Sequence, residues 1–131
     1  MDYSTFSVLV VEDDSTTRLI ITKLLSKLGF QKLTQAADGE EAYHLLKSEK
    51  IDLILSDWNM PKMNGLELLK KVRADENLQN IPFIMITENI SKDNIIEATR
   101  EKVSQYITKP FSSMSLELII DKLIKNEIST Y

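Results

Sequence analysis

Five times along this chain a short apolar run gives way to a stretch whose apolar residues recur at helical spacing, and that alternation leaves few folds open. The runs are SVLVV from Ser7, a weaker one from Phe30 to Ala37, IDLILSD from Ile51, Ile81 to Thr87, and Val103 to Thr108. Strands joined through helices run parallel in one sheet, and a parallel sheet needs helices on both faces. The expected architecture is α/β: a doubly wound, five-stranded parallel sheet in (βα)5 order.

The intervening stretches carry their own start and stop signals. Asp14 or Ser15 caps a first helix with Ile21, Leu24, Leu25 and Leu28 on one face and Gly29 just past its end. Asp38 with Glu41 three residues on resembles a capping box ahead of Ala42, Leu45 and Leu46. Asn64 precedes Leu66, Leu69 and Val72, and Ser91 precedes Ile95, Ala98 and Thr99. Ser112 or Ser113 opens a last helix with Leu116, Ile119, Ile120, Leu123 and Ile124 as a core-facing stripe.

Composition narrows the function classes. A chain of 131 residues, 43% hydrophobic, can close one core, and the absence of cysteine removes disulfides and thiolate metal sites. A net charge of −4 argues against broad nucleic-acid binding. No apolar run approaches the roughly 18 residues of a membrane span, and MDYSTFSVLVVEDD is unlike a secretory signal. The expectation is a soluble, cytoplasmic protein with no nucleic-acid or membrane partner.

Four of the runs end on a residue of chemical use: SVLVVED on Glu12 and Asp13, IDLILSD on Asp57, IPFIMIT on Thr87 and VSQYITK on Lys109. Parallel strands bring those ends to one edge, where open α/β sheets bind ligands. Each pair of carboxylates about 4 Å apart would repel by roughly 4 kcal/mol at an effective dielectric of about 20, so a cation must offset them. Oxygen donors without His or Cys suit Mg²⁺, with Asp13 and Asp57 as candidate ligands. An Asp beside Mg²⁺ and Lys can act as a nucleophile on a phosphoryl group, with Lys109 and Thr87 steadying its oxygens.

The segments VLVVEDDSTTR, SDWNMPKMNGLELLKKVRAD, ITEN followed by NIIEA, and YITKPF stand in this order along nearly the whole chain. On these the sequence resembles the receiver domain of two-component response regulators, and the chemotaxis regulators closely. The resemblance implies the flavodoxin-like strand order 2-1-3-4-5. It implies that Asp57 accepts a phosphoryl group from a sensor histidine kinase, with Mg²⁺ held by Asp13, Asp57 and the Asn59 backbone carbonyl, and by Glu12 through water. It implies that Thr87 and Tyr106 form the switch, that Lys109-Pro110 is cis, and that Lys92, Tyr106 and Lys122 lie on an output face of helix four, strand five and helix five. A flagellar motor switch protein is the implied target, and a phosphatase a further partner.

Some residues depart from the family pattern or carry no role. Asp14 competes with Asp13 as a ligand, Glu88 stands where a small residue is usual, and Lys102, Val103 and Gln105 replace the small residues usual at the end of helix four. His44 has no ligand partner at helical spacing and reads as solvated surface, Trp58 as loop packing, and Met60 as a gap filler. The chain ends by Tyr131 without room for a DNA-binding effector, so residues 1–131 are expected to be one monomeric receiver domain, acting on itself and turning over no external substrate. A phosphorelay shuttle is the neighbouring alternative. An aspartyl-phosphate phosphohydrolase would place an acid where Asn59 stands, and an FMN-binding module would need a phosphate-cradling loop where the acids follow the first strand.

Overall fold

A computed structural model describes residues 3–88 and 91–129; Asn89, the last residue of the ITEN segment, lies outside them. Strands β1 (Ser7–Val11), β2 (Lys32–Ala36), β3 (Leu53–Asp57), β4 (Phe83–Thr87) and β5 (Gln105–Thr108) alternate with helices α1 (Ser15–Leu28), α2 (Gly39–Ser48), α3 (Gly65–Ala74), α4 (Lys92–Arg100) and α5 (Ser113–Ser129). The strands are all parallel, in the order β2-β1-β3-β4-β5. This is the expected flavodoxin-like receiver architecture.

Because side chains alternate across a strand, each strand feeds two cores. Val8, Val10, Leu55, Ile84 and Ile86 pack with Ile21 and Leu25 of α1 and Leu116, Ile120 and Ile124 of α5. Leu9, Val11, Ile54, Phe83 and Met85 pack on the other face with Ala42 and Leu46 of α2 and Leu66, Leu69 and Val72 of α3. The sheet is thus covered on both sides, which is why its central strands read as unbroken apolar runs.

The caps fix where the helices begin. Asp14 accepts from the Thr17 N–H at 2.9 Å, and Ser91 from the Asn94 N–H at 3.1 Å. Asn64 and Glu67 form a full capping box, each side chain accepting from the other's backbone N–H. At α2, Asp38 accepts from the Glu41 N–H, but Glu41 Oε1 reaches one residue further back, to the Ala37 N–H at 3.0 Å. Ser112 caps α5, accepting from the Ser115 N–H. Gly29 ends α1 at φ 113°, a left-handed turn that suits glycine.

Four strands are shorter than the apolar runs that announce them, among them β3, which starts at Leu53 after the Asp52 N–H donates to the Ser7 carbonyl. Phe30 leaves the sheet to stack on Tyr3, ring centroids 4.3 Å apart, so β2 starts at Lys32. Pro82 has no N–H to donate, though its carbonyl accepts from Ile54, and β4 starts after it. Val103 donates back to the Ala98 carbonyl and Ser104 Oγ accepts from the Phe83 N–H, so β5 begins at Gln105.

Candidate functional site

The carboxyl ends of β1, β3, β4 and β5 meet at one edge of the sheet, carrying Glu12 and Asp13, Asp57, Thr87 and Lys109. Carboxylate oxygens of Glu12, Asp13 and Asp57 lie within 4.8 Å of one another. Lys109 Nζ stands 2.7 Å from Glu12 Oε1 and 3.5 Å from Asp57 Oδ1. Lys109 thus pairs with two of the three acids, and among the described residues no ion pair reaches Asp13.

Each acid is held differently. Glu12 is 1% exposed, its carbonyl takes the Arg18 guanidinium at 2.7 Å, and Arg18 is itself tied to Gln35 Oε1. Asp57 is buried, and its Oδ1 accepts from the Trp58 N–H at 2.9 Å. Asp13 is exposed at the mouth. Loss of water around it, then the hydrogen bond and charge of Glu12, push its carboxyl above the ordinary carboxylate range. For Lys109, partial burial acts to lower the pKa, but the Glu12 bond and the charges of Asp57 and Glu12 together raise it, so it stays an ammonium. Asp14 is taken up by its cap: the Thr17 hydroxyl and N–H both donate to Oδ2, which lowers its pKa, and it is not among the clustered acids. The three-acid run thus resolves to Glu12 and Asp13.

The loop after β3 is braced on all sides. The Trp58 N–H donates to Ile86 as well as to Asp57, Gly65 donates back to Trp58, and Gly39 of α2 donates to Met63. A side chain at Gly65 would run into the Asp57 carbonyl oxygen and Met85 Sδ, so only glycine lets α3 start this close to the acid. Lys62 takes φ 65° and approaches Asp38 at 3.9 Å. Asn59 sits exposed in this loop, two residues beyond Asp57.

Thr87 is buried at the end of β4, and half-buried Tyr106 lies on the neighbouring β5. Both line a small recess with Trp58, Met85, Ile95 and Ala98, which joins the strand end to α4. Lys92 opens α4 and Lys122 lies on α5, both exposed. Lys109-Pro110 is cis. Glu88 is exposed and shares a groove with Lys109, Pro110 and the α1 residues Thr17, Ile20 and Ile21. His44 is exposed on α2. The sequence offered no signal for Arg18 as the brace of Glu12, because that contact is to a backbone carbonyl.

Three oxygen donors of graded exposure, with no imidazole or thiolate among them, match what a hard divalent cation requires. The residues present fit magnesium.

Comparison with known proteins places this geometry. The family model for the response regulator receiver domain matches residues 8–121. Chemotaxis protein CheY-3 of Vibrio cholerae is 43% identical over 118 residues, covering 90% of this chain and 91% of the relative. Among solved structures, the chemotaxis protein CheY4 of the same species superposes with a TM-score of 0.84 at 30% identity, covering 89% of this chain and 97% of that one. The receiver domain of a sensor histidine kinase from Pseudomonas aeruginosa, with a magnesium ion coordinated in its active-site cleft, gives a TM-score of 0.82 at 28% identity, covering 89% and 95%. None of the described helices is long and apolar enough to cross a membrane. The chain belongs to the response regulator receiver domain family and is a CheY-like receiver of two-component signalling.

Proposed function

We propose that Asp57 is the phosphoacceptor of a magnesium-dependent transfer from a sensor histidine kinase. The observation that carries this is the Lys109 ammonium, set between Glu12 and the buried Asp57 at one sheet edge. A carboxylate oxygen of Asp57 attacks the phosphorus of a phosphohistidine. A P–O bond forms as the P–N bond breaks, and the imidazole nitrogen leaves with the electron pair. The Trp58 N–H orients the carboxylate, Lys109 neutralises charge on the phosphoryl oxygens, and the Thr87 hydroxyl donates a hydrogen bond to one of them.

Asp13, Asp57 and the Asn59 backbone carbonyl would hold Mg²⁺, with Glu12 acting through water, and such an ion neutralises charge on the transferring group. The acid cluster supports this, as does the magnesium in the Pseudomonas receiver. The chain modifies its own side chain and turns over no external substrate.

The new charge at Asp57 is read out through Thr87 and Tyr106, whose shared recess reaches α4, onto the face that includes Lys92, Tyr106 and Lys122. Kinship with chemotaxis proteins supports a flagellar motor switch protein as the target and a phosphatase as the partner that resets it.

Incubation with acetyl phosphate and Mg²⁺ should add one phosphoryl group by intact mass. No adduct, or an adduct that survives in Asp57→Asn, would reject the phosphoacceptor. Binding of a motor-switch peptide with and without beryllofluoride tests the output separately: unchanged affinity would remove the motor target and leave the chemistry standing.

A further inference from the structure

The carboxyl-terminal ends of α3 and α4 frame a recess of about 270 Å³ that plays no part in the chemistry above. Its lining is Lys70, Arg73, Ala74, Arg100, Glu101 and Lys102: four cations and one acid, in a chain of net charge −4. Among the described residues none of the four cations forms an ion pair with a carboxylate. Helix macrodipoles favour basic residues in a last turn. That explains one cation at each helix end, not four around one recess.

Arg73 is the anchored member. Its Nε donates to the Lys102 carbonyl at 3.0 Å, and Nη1 to the carbonyls of Gln79 and Ile81 at 3.1 and 2.7 Å. Its guanidinium is partly desolvated with no counter-charge beside it, and desolvation lowers its pKa. Lys102 adopts φ 63° two residues past the end of α4, while Lys70 and Arg100 are exposed on the neighbouring helix faces. One fixed planar cation with three exposed ones around it is suited to a compact, multiply charged anion.

We propose that this recess binds a small phosphate-rich anion, a di- or triphosphate chain, at the sheet edge opposite the acid cluster. The lining has no aromatic ring on which a base could stack, which disfavours single-stranded nucleic acid. Ala74 is its sole apolar side chain, so an acidic peptide would find no buried anchor there. Arg73 also reaches the α4–β5 connection through Lys102 and, at 3.4 Å, Ser104 Oγ. The bound anion would therefore pull on the segment leading to Tyr106.

The test is calorimetric titration of the full chain with inorganic tripolyphosphate at low ionic strength without divalent metal, with backbone amide shifts followed in parallel. Shifts should centre on residues 70–74 and 100–104, and affinity should fall as salt is added. Arg100→Gln with Lys102→Asn, chosen because Asn tolerates the left-handed backbone, should weaken binding roughly tenfold or more. Arg100→Glu alone should weaken it as well. ATP binding as tightly as tripolyphosphate would identify the phosphate chain of a nucleotide as a ligand, and tripolyphosphate binding alone would identify an inorganic one. Binding unchanged in the double variant, shifts confined to other regions, or tighter binding of a poly-glutamate peptide would overturn the proposal.

Discussion

The ammonium of Lys109 stands 2.7 Å from the carboxylate of Glu12, which is 1% exposed, so a cation from the end of β5 neutralises a buried acid after β1. Lys109→Met would leave Glu12 and Asp57 facing Asp13 without it. Breaking a fully buried pair costs about 3–5 kcal/mol, and because Lys109 keeps 17% of its side chain exposed the expected loss is on the order of 2–3 kcal/mol. Urea unfolding without divalent ions should show that loss. Millimolar Mg²⁺ should restore part of it, since a metal can take over the neutralising role.

Asp13 and Asp14 are adjacent acids with different work. Asp14 is spent on the α1 cap and Asp13 faces the cluster. Because the Trp58 N–H binds Asp57, Mg²⁺ should change the fluorescence of Trp58, the only tryptophan, and Asp13→Ala should abolish that change. Asp14→Ala should leave the magnesium response within about twofold and show up instead as a lower unfolding midpoint. Equal loss of magnesium response in both variants would mean the acids share the metal.

Gly65→Ala would force a methyl group into the Asp57 carbonyl and Met85 Sδ, and the backbone oxygen cannot rotate out of the way. Overpacking of this kind costs about 1–3 kcal/mol. The distinguishing expectation is kinetic: phosphorylation by acetyl phosphate should slow more than stability alone explains, because the displaced atoms belong to the loop that carries the nucleophile. A variant that is less stable yet phosphorylated at the normal rate would contradict this.

Away from the site, Asp75 joins α2 to α3. Lys47 Nζ lies 2.6 Å from its Oδ2, and the Tyr43 hydroxyl donates to the same atom at 3.0 Å. The Lys47 bond and the Asn77 N–H push its pKa down from 3.8 to about 2. A carboxyl whose pKa is lower in the folded state stabilises the fold in full above 3.8, and that contribution is lost as pH falls toward 2. The urea midpoint of Asp75→Asn should trail the wild type at neutral pH and converge with it across that interval. Parallel curves down to pH 2 would show that Asp75 gains nothing from its partners.

The sheet, its helices and the residues at its working edge are legible in sequence because each rests on local rules: apolar period, cap chemistry and strand-end acids. What escapes is set by contacts distant in sequence. Phe30 has every mark of a strand residue until Tyr3 stacks on it. Val103 reads as strand, yet the Ala98 carbonyl claims its N–H. On α4, the spacing sets Ile95, Ala98 and Thr99 on one face, but Ala98 is its one fully buried residue, and Thr99 is exposed. Arg18 and Arg73 act through backbone carbonyls, which no side-chain pattern reveals. At the acid run the opposite holds: a local rule, the Asp14 cap, decides which acids are left for the site.

The bond between Lys109 and Glu12 joins residues 97 positions apart. During synthesis, a chain that has left the ribosome only as far as β4 already contains Glu12, Asp13, Asp57 and Thr87 but not the lysine. One face of its sheet still lacks Leu116, Ile120 and Ile124 of α5, and the proposed phosphoacceptor lacks its positive partner. Competence for the reaction would thus arrive with the last strand, so an unfinished or carboxyl-truncated receiver would be a poor recipient of the kinase's phosphoryl group.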